Sequence, residues 1–273
     1  MTRLKTVWIK NIETNTGNWA ASFEEITGSS IYSTAAAAAG ISEAALRKYA
    51  NTKKVAVVPF TCGEGVIETF ADSLRAISEE MGFDSVVTEH NDVSGIYEAS
   101  CRGNDIILLA DDDRYIALNT SNGKIGENDE ATAAGYIEAL DAMNKKRSGR
   151  GISGETVLIL GYGRVGREMK DYLLKKGSKV VIYDNDPVKQ KMIEDDDMET
   201  IRSESEIKQF DLIADATSTG PWITEDMMDD DVLIVSPGVP FSLDSRAMEK
   251  FKGQYLHDDL ETGTAVMLAM AAE

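Results

Sequence analysis

The stretch Thr156-Val-Leu-Ile-Leu-Gly-Tyr-Gly-Arg-Val-Gly166 decides the fold of the second half of this chain. Its apolar first part reads as a buried strand, and Gly161, Gly163 and Gly166 then follow in a G-x-G-x-x-G pattern. A helical segment comes next, and Lys179-Val-Val-Ile-Tyr183 reads as a second buried strand. A strand, a glycine turn, a helix and a strand in this order predict a dinucleotide-binding βαβ unit.

Each glycine of the motif has a separate physical role. Gly161 permits a tight turn, Gly163 lets the backbone approach a pyrophosphate, and Gly166 lets the helix pack closely on the strand. The start of the helix supplies unpaired N–H groups and a partial positive charge for phosphates. We therefore expect the whole turn to bind the cofactor, through Gly161, Tyr162, Gly163, Arg164, Val165 and Gly166.

Asp184 follows the second strand and indicates which dinucleotide binds. It lies about 20 residues past the motif, where a carboxylate accepts hydrogen bonds from the hydroxyls of the adenosine ribose. The same carboxylate would repel a 2′-phosphate. The sequence therefore predicts NAD as the cofactor, in preference to NADP.

Later loops of the second half should reach the same cofactor. Strands at 211–214 and 232–235 end next to polar or glycine-containing loops, and ligands bind open α/β sheets at the carboxyl ends of strands. Glu261-Thr-Gly-Thr-Ala265 precedes the last helix, and its amides can meet a ligand or simply start that helix. The cofactor-binding residues predicted in these segments are Ala216, Thr217, Ser236, Pro237, Gly238 and Thr264.

The first half reads as a second α/β domain. Residues 1–53 look helical, and apolar strands then alternate with helices, which is typical of a parallel, three-layer α/β domain. Asp92 is predicted to cap a helix over 93–101. The basic, glycine-broken stretch at 145–151 marks the junction. We therefore expect N-terminal helices with a substrate-side α/β domain at 1–148, and a Rossmann domain with a C-terminal helix at 149–273.

Composition narrows the classes of partner. The 273 residues include 47 Asp and Glu against 28 Lys and Arg, which gives a net charge of −19. Such a surface repels phosphate backbones and anionic lipid headgroups, so neither nucleic acid nor a membrane is expected as a partner. Two cysteines without metal-type spacing, no long apolar run and no signal-peptide pattern predict a cytoplasmic protein without a bound metal. The sequence leaves the oligomeric state open.

Two loops of the first half are candidates for the substrate site. Thr61-Cys-Gly-Glu-Gly65 joins a strand to a helix and can hold an anionic group. Asp111 follows the strand that ends at Ala110, and can bind a cationic amine or take its proton. Asp112 and Asp113 either share that role or form a solvated turn. The histidines His90 and His257 look like ordinary polar residues.

From about Val55 to the C-terminus, the chain resembles the family of dehydrogenases that complete pyrrolysine biosynthesis. Asp92-Val-Ser-Gly95 and Ala110-Asp-Asp112 are the most specific resembling segments, whereas the glycine motif is shared by many enzymes. The other resembling segments are 58–65, 82–85, 106–109, 122–124, 183–184, 236–238 and 263–265.

The resemblance implies a defined reaction on a small molecule. The substrate would be 3-methyl-D-ornithine joined through its carboxyl group to the side-chain nitrogen of lysine, and NAD⁺ would oxidise the carbon that bears the terminal amine of the ornithine. Loss of ammonia, closure by the ornithine α-amine and loss of water would leave the pyrroline ring. Asp111 would be the catalytic and substrate-binding residue, and the other substrate-binding residues would be Thr61, Cys62, Glu64, Ser94 and Ala110.

Two other functions stay open at this point. One is a different two-domain NAD-dependent dehydrogenase of an amino or keto acid, although no lysine–aspartate or histidine pair is well placed for that chemistry. The other is a protein that senses NAD(H) without turnover. The net charge of −19 and the lack of a basic helix argue against a DNA-binding sensor.

Overall fold

In the computed structural model, which describes residues 4–272, the chain forms two compact units. The first contains 4–22, 30–135 and 260–272, and the second contains 23–29 and 136–259. The sequence placed the junction after residue 148 and the last helix in the second domain. The units instead divide at 135/136, within a long helix, and the last helix belongs to the first unit.

The first unit is built on a five-stranded sheet with the order β2-β1-β3-β4-β5. Strands β1, β2 and β3 are parallel, and each is rich in the branched apolar residues that a buried sheet favours. The strands are β1 (Lys54–Val58), β2 (Asp84–Val87), β3 (Ile106–Ala110), β4 (Tyr115–Asn119) and β5 (Ile125–Glu127).

The last two strands of this sheet are antiparallel, which corrects the expectation of a wholly parallel domain. The reason lies in Asp111, which begins a tight turn between β3 and β4. Its N–H donates to Arg114 O at 2.8 Å, and its Oδ1 accepts N–H groups of Asp113 and Arg114. So short a connection can join only antiparallel neighbours, because a parallel pair needs a crossover.

Helices surround this sheet and supply most of the first unit's remaining residues. Two of them, α2 and α7, begin in the first unit and end in the second. The helices are α1 (Thr6–Ile9), α2 (Ile12–Thr27), α3 (Ile31–Ala38), α4 (Glu43–Ala50), α5 (Phe70–Glu80), α6 (Asp92–Cys101), α7 (Asn128–Ser148) and, at the end of the chain, α11 (Glu261–Ala272).

Helix α11 is the central helix of the first unit. All but one of its residues are buried, as expected for a helix that is apolar on every side. It packs so closely on its neighbours that a Cβ at Gly126 would overlap Met267 O, and a Cβ at Gly135 would lie 2.9 Å from Val266 Cγ2. Small residues therefore set the distance between this helix and the rest of the unit.

The second unit is a parallel six-stranded sheet with the order β11-β10-β9-β6-β7-β8. When the strands are numbered along the chain, this is the 3-2-1-4-5-6 order of dinucleotide-binding sheets. The point at which the strand order reverses lies between β6 and β9, which are themselves parallel. The strands are β6 (Thr156–Leu160), β7 (Lys179–Tyr183), β8 (Glu199–Thr200), β9 (Leu212–Asp215), β10 (Leu233–Val235) and β11 (Tyr255–Leu256). The predicted α/β class with a Rossmann domain is confirmed.

The helices of the second unit connect these strands. They are α8 (Arg164–Lys175), α9 (Pro187–Asp195) and α10 (Ser245–Lys250), with short 3-10 helices at Glu204–Gln209 and Glu225–Met227. The core between sheet and helices is mostly aliphatic and includes Leu158, Ile213 and Ile234. Across residues 4–272, no helix is both long enough and apolar enough to cross a bilayer.

Candidate functional site

The glycine motif forms the predicted turn between β6 and α8. Gly161 has a φ of 90°, which L side chains rarely adopt, and its N–H donates to Tyr183 O at 2.7 Å. A Cβ at Gly166 would overlap the carbonyl oxygen of Gly161. Gly161 is therefore required by the backbone conformation of the turn, and Gly166 by its close packing on Gly161.

Gly163 differs, because the space above it is open. Within residues 4–272, and apart from the two adjoining residues, a Cβ there would have only Lys189 Nζ as a neighbour within 4 Å, at 3.9 Å. Helix α8 begins at the next residue, and the first N–H groups of a helix have no acceptor within the helix itself. An open cradle over a helix start is the geometry that a pyrophosphate requires, so the residues present fit a dinucleotide.

Asp184 lies at the end of β7, directly beside the glycine turn. Its Oδ2 accepts the N–H of Tyr162 at 2.7 Å, and its Oδ1 accepts the N–H of Asp186 at 2.9 Å. Lys189 Nζ lies 3.6 Å from Oδ2. The carboxylate is thus fixed and only 8% exposed, and a half-exposed cation stands next to it.

A buried carboxylate, Asp215, accepts hydrogen bonds from the loops that follow β9 and β10. The hydroxyl and N–H of Thr217 donate to its Oδ1 at 2.6 and 3.1 Å, while the hydroxyl of Ser236 donates to its Oδ2 at 2.6 Å. Ser242 also donates to Oδ2. The indole N–H of Trp222 donates to Thr217 Oγ1 at 3.0 Å, so the hydroxyl proton of Thr217 is directed to Asp215.

These bonds bring the predicted loops after β9 and β10 into direct contact. A Cβ at Gly238 would overlap the carbonyl oxygen of Thr217, so the two backbones touch. Because β9 and β10 are parallel neighbours, both loops lie at the carboxyl edge of the sheet, as the glycine turn after β6 does. Pro237 and Ala216 lie in the same two loops and are half-buried.

Sequence reasoning missed Asp215, Ser242 and the position of His257. The strand was expected to end at Ala214, so Asp215 was not assigned a role, although an acidic residue next to a predicted cofactor loop was the available signal. His257 follows β11, and its Nδ1 donates to Ser236 O at 2.8 Å, since a carbonyl oxygen can only accept. Its ring stacks on Phe241 with centroids 4.1 Å apart.

Thr264, which the sequence predicted at the cofactor, lies in helix α11 of the first unit. It is fully buried, and its hydroxyl lies 2.9 Å from both Tyr115 Oη and Leu260 O. Burial raises the pKa of Tyr115, whose ring packs edge-on against Phe70. The side chain of Thr264 is therefore engaged within the core of its own unit.

In the first unit, the loop after β1 is held by Asp92. Its Oδ1 accepts the N–H of Thr61 at 2.8 Å, and its Oδ2 accepts the Thr61 hydroxyl at 2.5 Å. These two bonds lower the pKa of Asp92. Asp92 was expected to cap the helix that follows; instead it is the first residue of α6, with a φ of 54°, and its carboxylate clamps the neighbouring loop.

The same loop meets the turn after β3. Asp112 Oδ2 accepts the N–H of Glu64 at 2.8 Å, and a Cβ at Gly63 would lie 2.5 Å from the carboxyl carbon of Asp112. Asp111 stands next in the chain and is exposed. The N–H groups of Arg114 and Asp113 hold the pKa of Asp111 below its ordinary value, so this carboxyl group is ionised at neutral pH.

The structure therefore brings most of the predicted substrate residues to one edge of the first sheet. Thr61, Cys62 and Glu64 lie in the exposed loop after β1, and Ala110 is the half-buried last residue of β3. Because β1 and β3 are parallel neighbours, both segments lie at the carboxyl edge. Ser94 is exposed in the first turn of α6, whose start is tied to that loop through Asp92.

Two family models match the chain. "Pyrrolysine biosynthesis protein PylD, N-terminal domain" matches residues 16–126, and "D-isomer specific 2-hydroxyacid dehydrogenase, NAD binding domain" matches residues 117–233. The second match covers the glycine turn, Asp184 and the Thr217 loop. Together with the open cradle at Gly163, this match supports a nicotinamide cofactor for the second unit.

Solved structures share the fold at low sequence identity. Shikimate dehydrogenase from Aquifex aeolicus is 18% identical, with a TM-score of 0.52 over 77% of this chain and 88% of that one. Shikimate 5-dehydrogenase from Thermus thermophilus, solved with NADP(H) and shikimate, is 15% identical, with a TM-score of 0.50 over 81% of this chain and 92% of that one. These likenesses show the fold alone.

Two relatives match most of the chain. Pyrrolysine synthase from Methanosarcina acetivorans is 37% identical over 217 residues, which are 79% of this chain and 81% of the relative. Pyrrolysine synthase from Methanosarcina barkeri is 33% identical over 245 residues, 90% of this chain and 88% of the relative. With the dinucleotide-binding unit in place, the chain is a nicotinamide-dependent oxidoreductase and belongs to the pyrrolysine synthase family.

Proposed function

We propose that this protein acts in pyrrolysine biosynthesis on a conjugate of lysine with 3-methyl-D-ornithine, and that it oxidises the terminal amine of the ornithine part with NAD⁺ as the oxidant. The observation that carries this proposal is the carboxylate-rich edge of the first sheet. Asp111 stands there beside Asp112, and its pKa is held below the ordinary value. A substrate with several ammonium groups needs anionic partners of this kind.

The lowered pKa of Asp111 favours one of its two possible roles. A carboxyl group that stays ionised is a good partner for an ammonium group and a weak acceptor for its proton. Of its two oxygens, Oδ1 accepts the two N–H groups that fix the turn, which orients the carboxylate without neutralising it. We therefore assign Asp111 to binding and orienting the terminal amine.

The remaining proposed substrate contacts come from the loops that meet Asp111's turn. Thr61 is fixed by Asp92, and Glu64 is fixed through its N–H by Asp112. Cys62 and Ser94 are exposed beside them, and Ala110 leads into the turn. These side chains would hold the substrate while the chemistry proceeds.

When bound, the nicotinamide supplies the acceptor for the hydride that leaves the amine-bearing carbon. The amine nitrogen loses a proton, and the product is an imine of the substrate. Water adds to the imine and releases ammonia, which leaves an aldehyde. The ornithine α-amine then attacks that carbon within the same molecule, which is fast, and loss of water gives the pyrroline ring.

Asp184 supports NAD rather than NADP. Its fixed carboxylate would repel a 2′-phosphate, although Lys189 Nζ at 3.6 Å offsets part of that repulsion. We expect Asp184→Asn to reduce the preference for NAD over NADP by about tenfold, the effect of about 1.4 kcal/mol. Dissociation constants of both reduced cofactors, measured by fluorescence, check this. Lys189→Gln should change the preference in the opposite direction.

The reaction itself is tested by incubating the protein with NAD⁺ and the lysine–methylornithine conjugate. Absorbance of NADH, ammonia release and the product mass are followed together. We expect NADH and ammonia in equal amounts, and a product with the mass of pyrrolysine. The absence of NADH with this substrate, in a protein that binds NADH, would reject the proposed reaction.

A pair of variants tests the role of Asp111. Asp111→Asn removes the charge at the carboxyl edge of the sheet, and Asp84→Asn removes an exposed charge at the start of β2, at the opposite edge. We expect the first to raise KM for the conjugate by at least about tenfold, the loss of about 1.4 kcal/mol, and the second to leave it unchanged. Equal KM values would remove Asp111 from the substrate site.

A further inference from the structure

The second unit contains a carboxylate that the proposed reaction does not use. Asp215 ends β9, is completely buried and receives four hydrogen bonds from Thr217, Ser236 and Ser242. A buried carboxyl group is costly to keep in a fold unless its bonds accomplish something, because its charged form is poorly solvated there. Burial raises the pKa of Asp215 even though all four donors lower it.

The donors come from three separate segments at one edge of the sheet. Thr217 follows β9, Ser236 follows β10, and Ser242 lies in the chain that leads to α10. The backbones of the first two segments also touch, at Gly238 and Thr217 O. Without Asp215, three hydroxyl groups would lose their common acceptor in a nearly dry environment.

The network extends to two aromatic side chains. Trp222 donates to Thr217 Oγ1, and the N–H groups of Trp222 and Ile223 both donate to Ser242 O, at 2.8 and 2.9 Å. On the other side, Ser236 O accepts from His257 Nδ1. The segments after β9, β10 and β11 are thereby connected through a single carboxylate.

We propose that Asp215 is a positioning residue that holds the loops at Thr217 and Ser236–Gly238 in the form that receives the nicotinamide end of the cofactor. This inference rests on the proposed placement of the cofactor at these loops. The adenosine end is held by other groups: the helix start after Gly163, and Asp184, which bonds Tyr162 and Asp186 but not Asp215. The two ends of the cofactor should therefore respond differently to a change at Asp215.

The test compares NADH with ADP-ribose, which lacks only the nicotinamide. For Asp215→Asn, we expect the dissociation constant of NADH to rise by at least about tenfold, the loss of about 1.4 kcal/mol, while that of ADP-ribose stays within about twofold. General damage to the fold would weaken both ligands, so the difference between them is the diagnostic readout. Circular dichroism and the Tm of each variant accompany the titrations.

Two further variants make the test decisive. Asp211→Asn changes the exposed aspartate that precedes β9, at the opposite edge of the sheet, and should alter neither ligand. If Asp215→Asn fails to fold, Ser242→Ala removes one donor from outside the cofactor loops and should weaken NADH alone, by a smaller factor.

The outcomes separate the two proposals. A wild-type protein that does not bind NADH would contradict the proposed function. If the wild type binds NADH, two results for Asp215→Asn and Ser242→Ala would overturn the role of Asp215. Either both variants keep the wild-type affinity for NADH, or both lose affinity for NADH and ADP-ribose equally. The proposed function would still stand in both cases.

Discussion

At the scale of single residues, the three glycines of the motif have different physical tasks. Gly161 and Gly166 are required by the backbone of the turn, whereas Gly163 leaves open space for the proposed pyrophosphate. A methyl group added at Gly166 should therefore lower stability, whereas one added at Gly163 should lower cofactor affinity. This makes the motif a sensitive test of the assigned site.

We predict that Gly166→Ala destabilises the protein, because its Cβ would overlap Gly161 O. Overpacking of this kind typically costs about 1–3 kcal/mol, so Tm should fall by several degrees. Differential scanning calorimetry measures the change. A Tm equal to that of the wild type would show that the turn relaxes around the new methyl group.

Gly163→Ala is the matched control within the same motif. Only Lys189 Nζ would lie within 4 Å of its Cβ, so Tm should stay close to the wild-type value. The methyl group would nevertheless occupy the space above the start of α8, so NADH affinity should fall by about tenfold or more, or about 1.4 kcal/mol. Unchanged affinity would place the pyrophosphate elsewhere.

Some residues of the site were predictable from sequence, and others were not. Asp184 follows the glycine motif at a characteristic spacing, so local order along the chain was sufficient to predict its place beside the glycine turn. The partners of Asp215 lie 2, 21 and 27 residues along the chain, and only the folded sheet brings them together. Asp111 stays a predicted substrate residue, and its part in closing a hairpin turn depends on contacts that the residue type alone does not reveal.

At the scale of elements, a buried carboxylate joins helix α7 to the chain that enters β6. Asp141 Oδ1 accepts the N–H of Ile152 at 2.9 Å, and its Oδ2 lies 2.6 Å from Lys145 Nζ and 3.7 Å from Lys176 Nζ. Burial opposes the charge of Asp141, yet Lys145, the Ile152 N–H and Lys176 outweigh it and lower the pKa. These contacts fix the approach of the chain to the first strand of the dinucleotide-binding sheet.

We predict that Asp141→Asn destabilises the fold by about 1–3 kcal/mol, because the buried N–H of Ile152 and the partly buried Lys176 lose their charged acceptor. Urea denaturation at neutral pH measures the free energy of unfolding. Asp195→Asn is the control, because Asp195 makes a similar i,i+4 contact with Lys191 at 3.3 Å on an exposed surface. Exposed pairs of this kind contribute about 0–1 kcal/mol. Equal effects of the two substitutions would contradict the importance of burial.

The contacts of Asp141 make the free energy of unfolding depend on pH, and the lowered pKa of Asp141 sets the sign of that dependence. The folded-state pKa of Asp141 lies below the unfolded value of about 3.9, so its stabilising effect is complete above that pH. It is lost as the pH falls from there through the folded-state pKa. The stability difference between wild type and Asp141→Asn should therefore be constant near neutral pH and shrink in acid. A difference that grew in acid would reverse the assigned sign.

Elements with strong local patterns were predictable from the sequence. The direction of neighbouring strands and the unit to which a helix belongs were less predictable. Strand β6, helix α8 and strand β7 each follow from an apolar run or glycine boundaries, and the structure has them where expected. The apolar residues of strand β4 favour a strand, but its antiparallel direction depends on the length and hydrogen bonding of the turn before it. Helix α11 is apolar on all sides, which indicates burial without naming the unit that buries it.

At the scale of the whole molecule, the charge of −19 should make stability depend on salt. Carboxylates that repel one another destabilise the folded chain, and added ions screen this repulsion. We predict that Tm rises as NaCl increases from about 0.02 M to about 0.5 M, because the Debye length shortens several-fold over that range. KCl should act in the same way, and an uncharged osmolyte at equal osmolality separates screening from solvent exclusion. A Tm that fell with salt would contradict the prediction.

The position of α11 has a consequence for the order in which the protein matures during synthesis. Domains usually fold in the order in which they leave the ribosome. Here the central helix of the first unit is made of residues 261–272, which follow residues 136–259, and those residues already contain every strand of the second sheet. We therefore expect the nucleotide-binding unit to become protease-resistant on ribosome-bound chains before the first unit, which has to wait for α11.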